Sequence, residues 1–314
     1  MSTIVRATRA QPVHLVVVAL IAIVFVVGMT VSDRFATPLN LANVQDQMVA
    51  LAIVALAQTI VILSGGIDLS FAGALSFLCV VFASLAGDTT GSLVMAMAVV
   101  MGTGILLGLI NGGITAYVGI HPLITTLGTS TILAGAALLI TRQPTGSVPL
   151  FFEDFTYGRL GVVPYGMIFV IGLYLLIGFM LWRTTFGTRI FAIGDNEAAA
   201  AVSGLPVKRT KIVIYALSGL LCAVAAMYMT GRFSVGDPRA GVGFDLRSIT
   251  PVIVGGTLLA GGRGGVLGTA LAVILLALLA NVLNFMNVSS FYQWIAEGVI
   301  IIAAVSFFAG KGKS

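Results

Sequence analysis

The chain has very few charged residues. Asp, Glu, Lys and Arg make up 9% of its 314 residues, whereas soluble domains carry about a quarter. Hydrophobic residues make up 59%, and the mean hydropathy is +1.11. This composition excludes an ordinary soluble globular protein and predicts a polytopic helical membrane protein.

Reactive and metal-binding side chains are also scarce. Cys79 and Cys222 each lie in an apolar run without a CxxC partner, so we predict small core residues rather than metal ligands or a disulfide. His14 and His121 have no acidic or cysteine partner at a ligand spacing. The sequence contains no pattern of a catalytic triad, of paired carboxylates or of a metal cluster, and we predict that the chain is not an enzyme.

Nucleotide-binding and nucleic-acid-binding patterns are missing as well. The glycines of residues 261–265 lack the GxGxxG spacing, and Gly312-Lys313-Ser314 has Phe307 where a phosphate-binding loop needs glycine. The net charge of +5 is spread over short ends and loops without interleaved aromatic residues, which argues against nucleic-acid binding. We therefore expect no nucleotide or metal cofactor on this chain and no nucleic-acid partner.

Long apolar runs fill most of the chain, and a run of about 20 residues can cross a membrane as a helix. The first run is too long for a signal peptide and has no small-residue cleavage site, so we expect it to be retained. The second, third and eighth runs are short or end in glycines and are candidates for broken or re-entrant segments. The sequence predicts an all-α membrane protein, a single domain over residues 1–314, with about ten transmembrane helices at 12–31, 44–63, 70–87, 93–117, 122–140, 163–182, 212–230, 247–260, 266–285 and 292–309.

The basic residues predict the orientation of these helices. With the N-terminus inside, ten Lys and Arg fall on the inner side and six on the outer side, as the positive-inside rule requires. Both termini and residues 183–211 are then cytoplasmic. Two long loops, 141–162 and 231–246, are then on the outside.

Residues 183–211 form the longest polar interval between apolar runs. They hold five basic residues against Asp195 and Glu197. Asp195–Ala201 predicts a short helix, which Gly204-Leu205-Pro206 ends. A basic inner segment of this length is expected to contact another molecule.

Residues 64–70 read SGGIDLS and contain an acid without an adjacent cation. A carboxylate at membrane depth costs several kcal/mol unless it is paired or hydrated, so Asp68 is a functional candidate. The alternative is that Asp68 or Ser70 only caps the third helix. The two interpretations are compatible, because a helix start beside Gly65 and Gly66 is a natural hinge.

Two glycine-ended runs resemble each other: residues 61–66 read VILSGG and residues 252–256 read VIVGG. Matching glycine-interrupted segments in two halves of a transporter mark its pathway, and the alternative is a chance match in a glycine-rich chain. The candidate pathway or hinge residues in these runs are Ser64, Gly65, Gly66, Asp68, Ser70, Gly255 and Gly256.

Polar side chains inside the other spans are few. Asn281, Asn284 and Asn287 recur every three residues, and Asn111 lies in the fourth span. Such amides bind sugar hydroxyls or, more often, join helices, so Asn111, Asn281 and Asn284 are further pathway candidates. Glu297 lies in the tenth span, and a structural role is favoured because the neighbouring spans lack the acids of a proton relay.

Four motifs together resemble the ribose-type ABC transporter permease family, the membrane subunits of bacterial sugar importers. They are GGIDLS at 65–70, AIGDNEAA at 192–199, SGLPV at 203–207 and GGTLLAGG at 255–262. The resemblance runs from the second span to the last. Two departures are Phe71-Ala72-Gly73, where the family usually has Val-Gly, and Glu297, where a neutral or basic residue is expected.

The resemblance implies a multi-pass protein of the bacterial inner membrane with several partners. These are a second permease subunit, identical or related, two cytoplasmic ATPases that bind ATP and Mg, and a periplasmic solute-binding protein. The loops 141–162 and 231–246 would be periplasmic. The residues that match the family's ATPase-coupling element are Gly194, Asp195, Asn196, Glu197, Ala198, Ala199, Gly204 and Pro206.

The expected function is that of the permease subunit of an ATP-driven importer for a sugar or similar polar solute. One alternative is a permease of the same superfamily for a nucleoside, an autoinducer or an amino acid. A self-sufficient secondary transporter is disfavoured, because ionisable groups inside the helices are scarce. A membrane-embedded enzyme is disfavoured further by the lack of paired catalytic groups.

Overall fold

The computed structural model describes residues 3–289 and, beyond them, residues 292, 295, 298 and 299; side chains are described from residue 13. Glu297 and most of the predicted tenth span lie outside the described residues. The elements are α1 (Thr3–Val31), α2 (Pro38–Leu63), α3 (Phe71–Ala86), α4 (Thr90–Gly113), a π-helical turn (Ile114–Val118), α5 (Pro122–Ile140), α6 (Leu150–Tyr157), β1 (Arg159–Leu160), β2 (Val163–Pro164), α7 (Tyr165–Arg183), α8 (Thr185–Asp195), α9 (Glu197–Val202), α10 (Val207–Phe233), α11 (Phe244–Arg247), α12 (Ile249–Val254) and α13 (Val266–Phe285).

Helix α2 is the centre of the bundle. Thr37 caps it and Pro38 opens it, which suits the first turn of a helix. From Met48 to Ala57 its sequence is apolar around the whole circumference, the pattern of a helix that is buried on all sides, and 89% of its membrane-spanning window is buried. It packs against α10, α13, α7 and α12.

Seven of the described helices are long and apolar enough to cross a membrane, namely those of α1, α2, α4 with its π-helical turn, α5, α7, α10 and α13. They coincide with seven of the predicted spans, which confirms an all-α polytopic membrane protein. The second span is a continuous helix that begins at Pro38, six residues earlier than predicted, because Thr37 supplies its cap.

The third and eighth predicted spans are shorter than a full crossing. The third is the 16-residue helix α3. The eighth, over 247–260, is broken, as its glycine-rich end suggested: α11 and α12 have four and six residues, and turns follow. Gly256, Gly261, Gly262 and Gly264 have positive φ angles there, which a right-handed helix does not permit.

The two predicted outer loops are partly ordered into elements. The segment from Thr141 to Val162 contains α6, and the short antiparallel hairpin of β1 and β2 begins within it. Thr145 and Gly236 form an isolated bridge that joins this segment to the one after α10. The two segments therefore lie together at one end of the bundle.

Candidate coupling and translocation site

The polar interval between α7 and α10 folds as two short helices, and residues 184–206 are called the coupling segment below. The short helix predicted from Asp195 begins two residues later than predicted: Asp195 is the last residue of α8, and α9 starts at Glu197. The reason is a cap: Asn196 Oδ1 accepts the Ala199 N–H at 2.9 Å. Gly204, at a φ of +79°, lies just beyond α9, as predicted.

One edge of the coupling segment is buried and the other is exposed. Ile193, Ala200 and Val207 form a small apolar cluster, and Lys211 pairs with Glu197 at 2.6 Å between α10 and α9. Val202 is 91% exposed. The sequence interpretation missed Val202, although an apolar residue in a polar interval was a usable signal. Among the predicted coupling residues, Gly194 is buried. The others are exposed, namely Asp195, Asn196, Glu197, Ala198, Ala199, Gly204 and Pro206.

Gly194 is buried in a close backbone contact that we call the glycine junction, formed by Leu63, Gly65, Gly194, Gly261 and Gly262. A Cβ atom on Gly194 would overlap the Leu63 carbonyl oxygen and lie 2.5 Å from the Gly262 nitrogen. The Gly262 N–H donates to that same Leu63 oxygen at 3.0 Å. A Cβ atom on Gly261 would lie 2.7 Å from the Gly65 nitrogen. Only glycine lets the three backbones approach this closely.

The sequence similarity between the two glycine-ended runs corresponds to one repeated structure. At the end of α2 the Gly66 N–H donates to Val61 O and the Gly65 N–H to Ile62 O. At the end of α12 the Thr257 N–H donates to Val252 O and the Gly256 N–H to Ile253 O. Both are Schellman caps with a left-handed glycine, at φ angles of +81° and +89°.

The two repeated caps also meet in space. Ile62 of the first and Val252 and Ile253 of the second belong to one buried apolar cluster. Gly255 packs so closely on α13 that a Cβ atom would overlap the Gly268 backbone, and Gly256 faces Val13 of α1. Ser64 Oγ bonds back to Val61 O at 2.7 Å, within its own cap.

Asp68 lies in a buried hydrogen-bond network outside the glycine junction. Its Oδ1 accepts the Ser70 N–H at 2.9 Å and the Ser70 hydroxyl at 2.5 Å, and its Oδ2 accepts the Ser218 hydroxyl at 3.0 Å. Asn111 donates to Ser70 at 3.2 Å and accepts from Thr129 at 2.6 Å. Ser70 is the residue before α3, but it makes no side-chain capping bond to the helix, so the predicted side-chain cap is not formed; Asp68 instead closes a turn onto Ser70. The network joins α3, α4, α5 and α10, so Asn111 is an interhelical residue here.

Asn281 joins two helices as well. It exchanges two side-chain hydrogen bonds with Asn40 of α2, at 2.9 and 3.1 Å. Asn284 lies one turn further along α13 on an exposed position, and Asn287 follows the helix end with a φ of +56°. The three asparagines therefore do not form one helical face.

The N-terminal half of α2 carries a group of charges, the ionic cluster of Asp46, Arg159 and Arg232. Asp46 Oδ2 lies 2.9 Å from Arg159 and 3.6 Å from Arg232, and the Asp46 side chain is 1% exposed. Arg232 also stacks on the Tyr157 ring at 3.9 Å from its centroid. The sequence interpretation missed Asp46, although an acid in an apolar helix is a recognised signal.

Within the described residues, no three His, Cys, Asp or Glu side chains come together as a group that could hold a metal ion. Cys79 and Cys222 are free and buried. The described site consists of close backbone contacts and buried polar networks.

The chain matches the family model described as branched-chain amino acid transport system / permease component over residues 40–305. It is 36% identical to the ribose import permease protein RbsC of Escherichia coli, over 92% of this chain and 91% of that protein. It is 37% identical to RbsC of Bacillus subtilis, over 90% and 88%. It is 34% identical to the autoinducer 2 import system permease protein LsrD of Yersinia enterocolitica, over 83% and 80%.

No solved protein structure matches the chain at a significant level. The family match and the relatives confirm the resemblance that the four motifs indicated. The chain belongs to the branched-chain amino acid transport system / permease component family, among the relatives of the ribose import permeases.

Proposed function

We propose that the chain is the membrane-spanning permease subunit of an ATP-driven importer for a sugar or a similarly polar solute. The observation that carries this proposal is the coupling segment: a helical element with an exposed edge, whose buried Gly194 contacts the end of the central helix. A force applied to α9 has a direct path through Gly194 to Leu63 of α2. The names of the ribose import relatives support the solute class.

The proposal includes the arrangement that the family resemblance implied. About ten helices cross the bacterial inner membrane, both termini are cytoplasmic, and the chain assembles with a second permease subunit. Two cytoplasmic ATPases carry ATP and Mg and dock on the coupling segment, and a periplasmic binding protein delivers the solute. The basic residues around the segment support its cytoplasmic placement.

A second candidate is import of autoinducer 2, and the observation that favours it is the similarity to LsrD. Both candidates use the same coupling segment and differ only in the solute. Uptake of labelled sugars and of autoinducer 2 by vesicles that hold the assembled importer separates them. Uptake that needs an ion gradient but neither ATP nor an ATPase would contradict both.

Docking of an ATPase on the exposed face of α9 is tested by charge introduced there. The variant Ala198→Glu with Val202→Glu changes two exposed positions to the same charge, so that the new groups cannot pair with each other, and leaves the buried Gly194 edge intact. We expect at least tenfold less ATPase to co-purify, because desolvating a new unpaired charge at a contact costs more than about 1.4 kcal/mol.

The matched control is Gln143→Arg, an exposed position between α5 and α6 outside the coupling segment. It should leave co-purification unchanged. Equal monodispersity of the three proteins on gel filtration shows that folding is not the cause. Full ATPase recovery with the α9 variant would contradict docking at this face.

A further inference from the structure

Gln58, five residues before the C-terminal end of α2, has a buried side chain that forms no hydrogen bond within the described part of the chain. Its side chain is 0% exposed, and neither Nε2 nor Oε1 has a partner among the residues that the structure describes. A buried amide without partners is costly, whereas an apolar residue of the same size is not. Neighbouring Thr59, in contrast, bonds to Ala55 O at 2.7 Å and to the Thr269 hydroxyl at 2.8 Å. The free-energy cost of burying the Gln58 amide suggests that this side chain has a function.

The face of α2 that carries Gln58 also lines a cavity. Gln47 and Leu51 line it, together with Arg247 of α11 and Thr250 of α12. At 3.6 residues per turn, Gln58 points within about 20° of both Gln47 and Leu51 and lies roughly 10 Å beyond Leu51 along the helix. Helical side chains lean towards the N-terminus of their helix, so the Gln58 amide leans towards the cavity.

The cavity has a size and lining suited to a small polar solute. Its volume is about 230 Å³, below the roughly 300–1,000 Å³ of pockets for drug-sized ligands. Gln47, Arg247 and Thr250 supply polar groups among apolar walls.

The same face of α2 is closed one turn beyond Gln58. Ile62 lies there in the apolar cluster with Ile249, Val252 and Ile253 of α12. Ile62 and Ile253 stand at equivalent positions of the two repeated Schellman caps. Along this face of α2 there is first a cavity with three polar side chains among apolar walls, then the Gln58 amide, and then an apolar closure.

We propose that Gln58 is a solute-contacting residue, and that a hydroxyl-rich solute passes from this cavity along the α2 face and hydrogen-bonds the Gln58 amide when the Ile62 cluster opens. This inference rests on the proposed function and adds the path and the contact residue. In the closed arrangement the Gln58 amide forms no hydrogen bond with the described residues, because the partner that it binds during transport is the solute or the water that travels with it.

The test measures access to position 58 during turnover. Gln58→Cys is made in a chain that carries Cys79→Ala and Cys222→Ala, and the complete complex with its ATPase and binding protein is treated with a small charged methanethiosulfonate. We expect at least tenfold faster labelling with ATP and solute than without them. Leu56→Cys is the matched control, because Leu56 is also 0% exposed and faces the opposite side of α2.

Gln58→Leu provides a second readout that does not depend on a cysteine. We expect a thermal midpoint equal to or above that of the parent, with about tenfold slower uptake of the best-transported member of a panel of labelled pentoses and hexoses. A merely structural glutamine would leave uptake unchanged. Gln58→Asn, which keeps the amide, should restore part of the rate.

Three outcomes overturn proposals, and they are distinguishable. If Gln58→Cys labels no faster than Leu56→Cys in a parent that transports with ATP, the Gln58 inference falls and the proposed function stands. Unchanged uptake by Gln58→Leu has the same meaning. A parent complex without ATP-dependent uptake overturns both.

Discussion

The two halves of α2 are held by opposite kinds of contact. At Leu63 the neighbours are backbone atoms of glycines, in contact without intervening side chains. At Asp46, some 26 Å away along the helix, the neighbours are long arginine side chains that are 28% and 20% exposed. The contact at Leu63 joins rigid backbones, whereas the contact at Asp46 joins flexible side chains.

The difference has a mechanical consequence. A backbone contact has no rotatable side chain to absorb a displacement, so a shift of α8 reaches α2 directly through Gly194. An ion pair between long side chains can separate and re-form while the backbones move. Under the proposed function, the glycine junction transmits motion and the ionic cluster allows it.

The largest effect is expected from removing both cations of the ionic cluster. Arg159→Ala with Arg232→Ala leaves the buried Asp46 carboxylate without a cation, which should lower the free energy of unfolding by about 3–5 kcal/mol. Each single variant should cost less than half of this, because Asp46 keeps its other arginine. Denaturant titration of the purified protein measures the three values.

The control removes the acid as well. Adding Asp46→Ala to the double variant should recover part of the loss, because a buried charge no longer lacks a partner. Simple additivity of the two single variants would show that the arginines do not share Asp46, since residues in one network couple.

A smaller effect is expected at the glycine junction. Gly194→Ala adds one methyl group where the Leu63 oxygen already stands, and overpacking of this kind costs about 1–3 kcal/mol. Because the clash involves backbone atoms, relief requires α8 to move away from α2, so ATP-driven uptake should fall even where the protein remains folded. Thermal unfolding and uptake are measured on the same preparation.

The matched variant is Gly172→Ala in α7, where an added Cβ has no neighbour within 4 Å. Alanine favours a helix over glycine by up to about 1 kcal/mol, so this variant should be neutral or stabilising. If Gly194→Ala and Gly172→Ala had equal thermal unfolding midpoints and equal uptake, the close contact at Gly194 would contribute neither to stability nor to transport.

The sequence predicts the positions of the helices better than it predicts the contacts between them. Apolar runs locate seven helices, and the glycines at 65 and 204 locate two helix ends, because these signals are local. The caps at Thr37 and Asn196 are local as well, and they explain the errors at the starts of α2 and α9. The eighth span is broken because several of its glycines have positive φ angles. The sequence shows that glycines are present there but not which φ angles they adopt.

The contacts themselves depend on residues far apart in the chain. Leu63, Gly194 and Gly262 meet only after α2, α8 and the turns that follow α12 have packed, and Asp46 meets Arg159 only after α2 has packed beside β1. A single sequence records no such pairing. Gln58 shows the remaining difficulty: a polar residue in an apolar helix is visible in the sequence, but its missing hydrogen bonds are visible only in the packed structure.

The smallest effect is expected for the exposed ion pair of the coupling segment, Lys211 with Glu197. It has the same chemistry as the ionic cluster, but Glu197 is 54% exposed, and exposed pairs contribute about 0–1 kcal/mol. Glu197→Gln should therefore change the free energy of unfolding by less than about 1 kcal/mol, and 1 M NaCl should abolish the change because the screening length falls to about 3 Å. The loss caused by the Arg159→Ala, Arg232→Ala variant should persist in the same salt, since Asp46 is buried. A salt-resistant loss at Glu197 would mean that burial does not explain the difference between the two ion pairs.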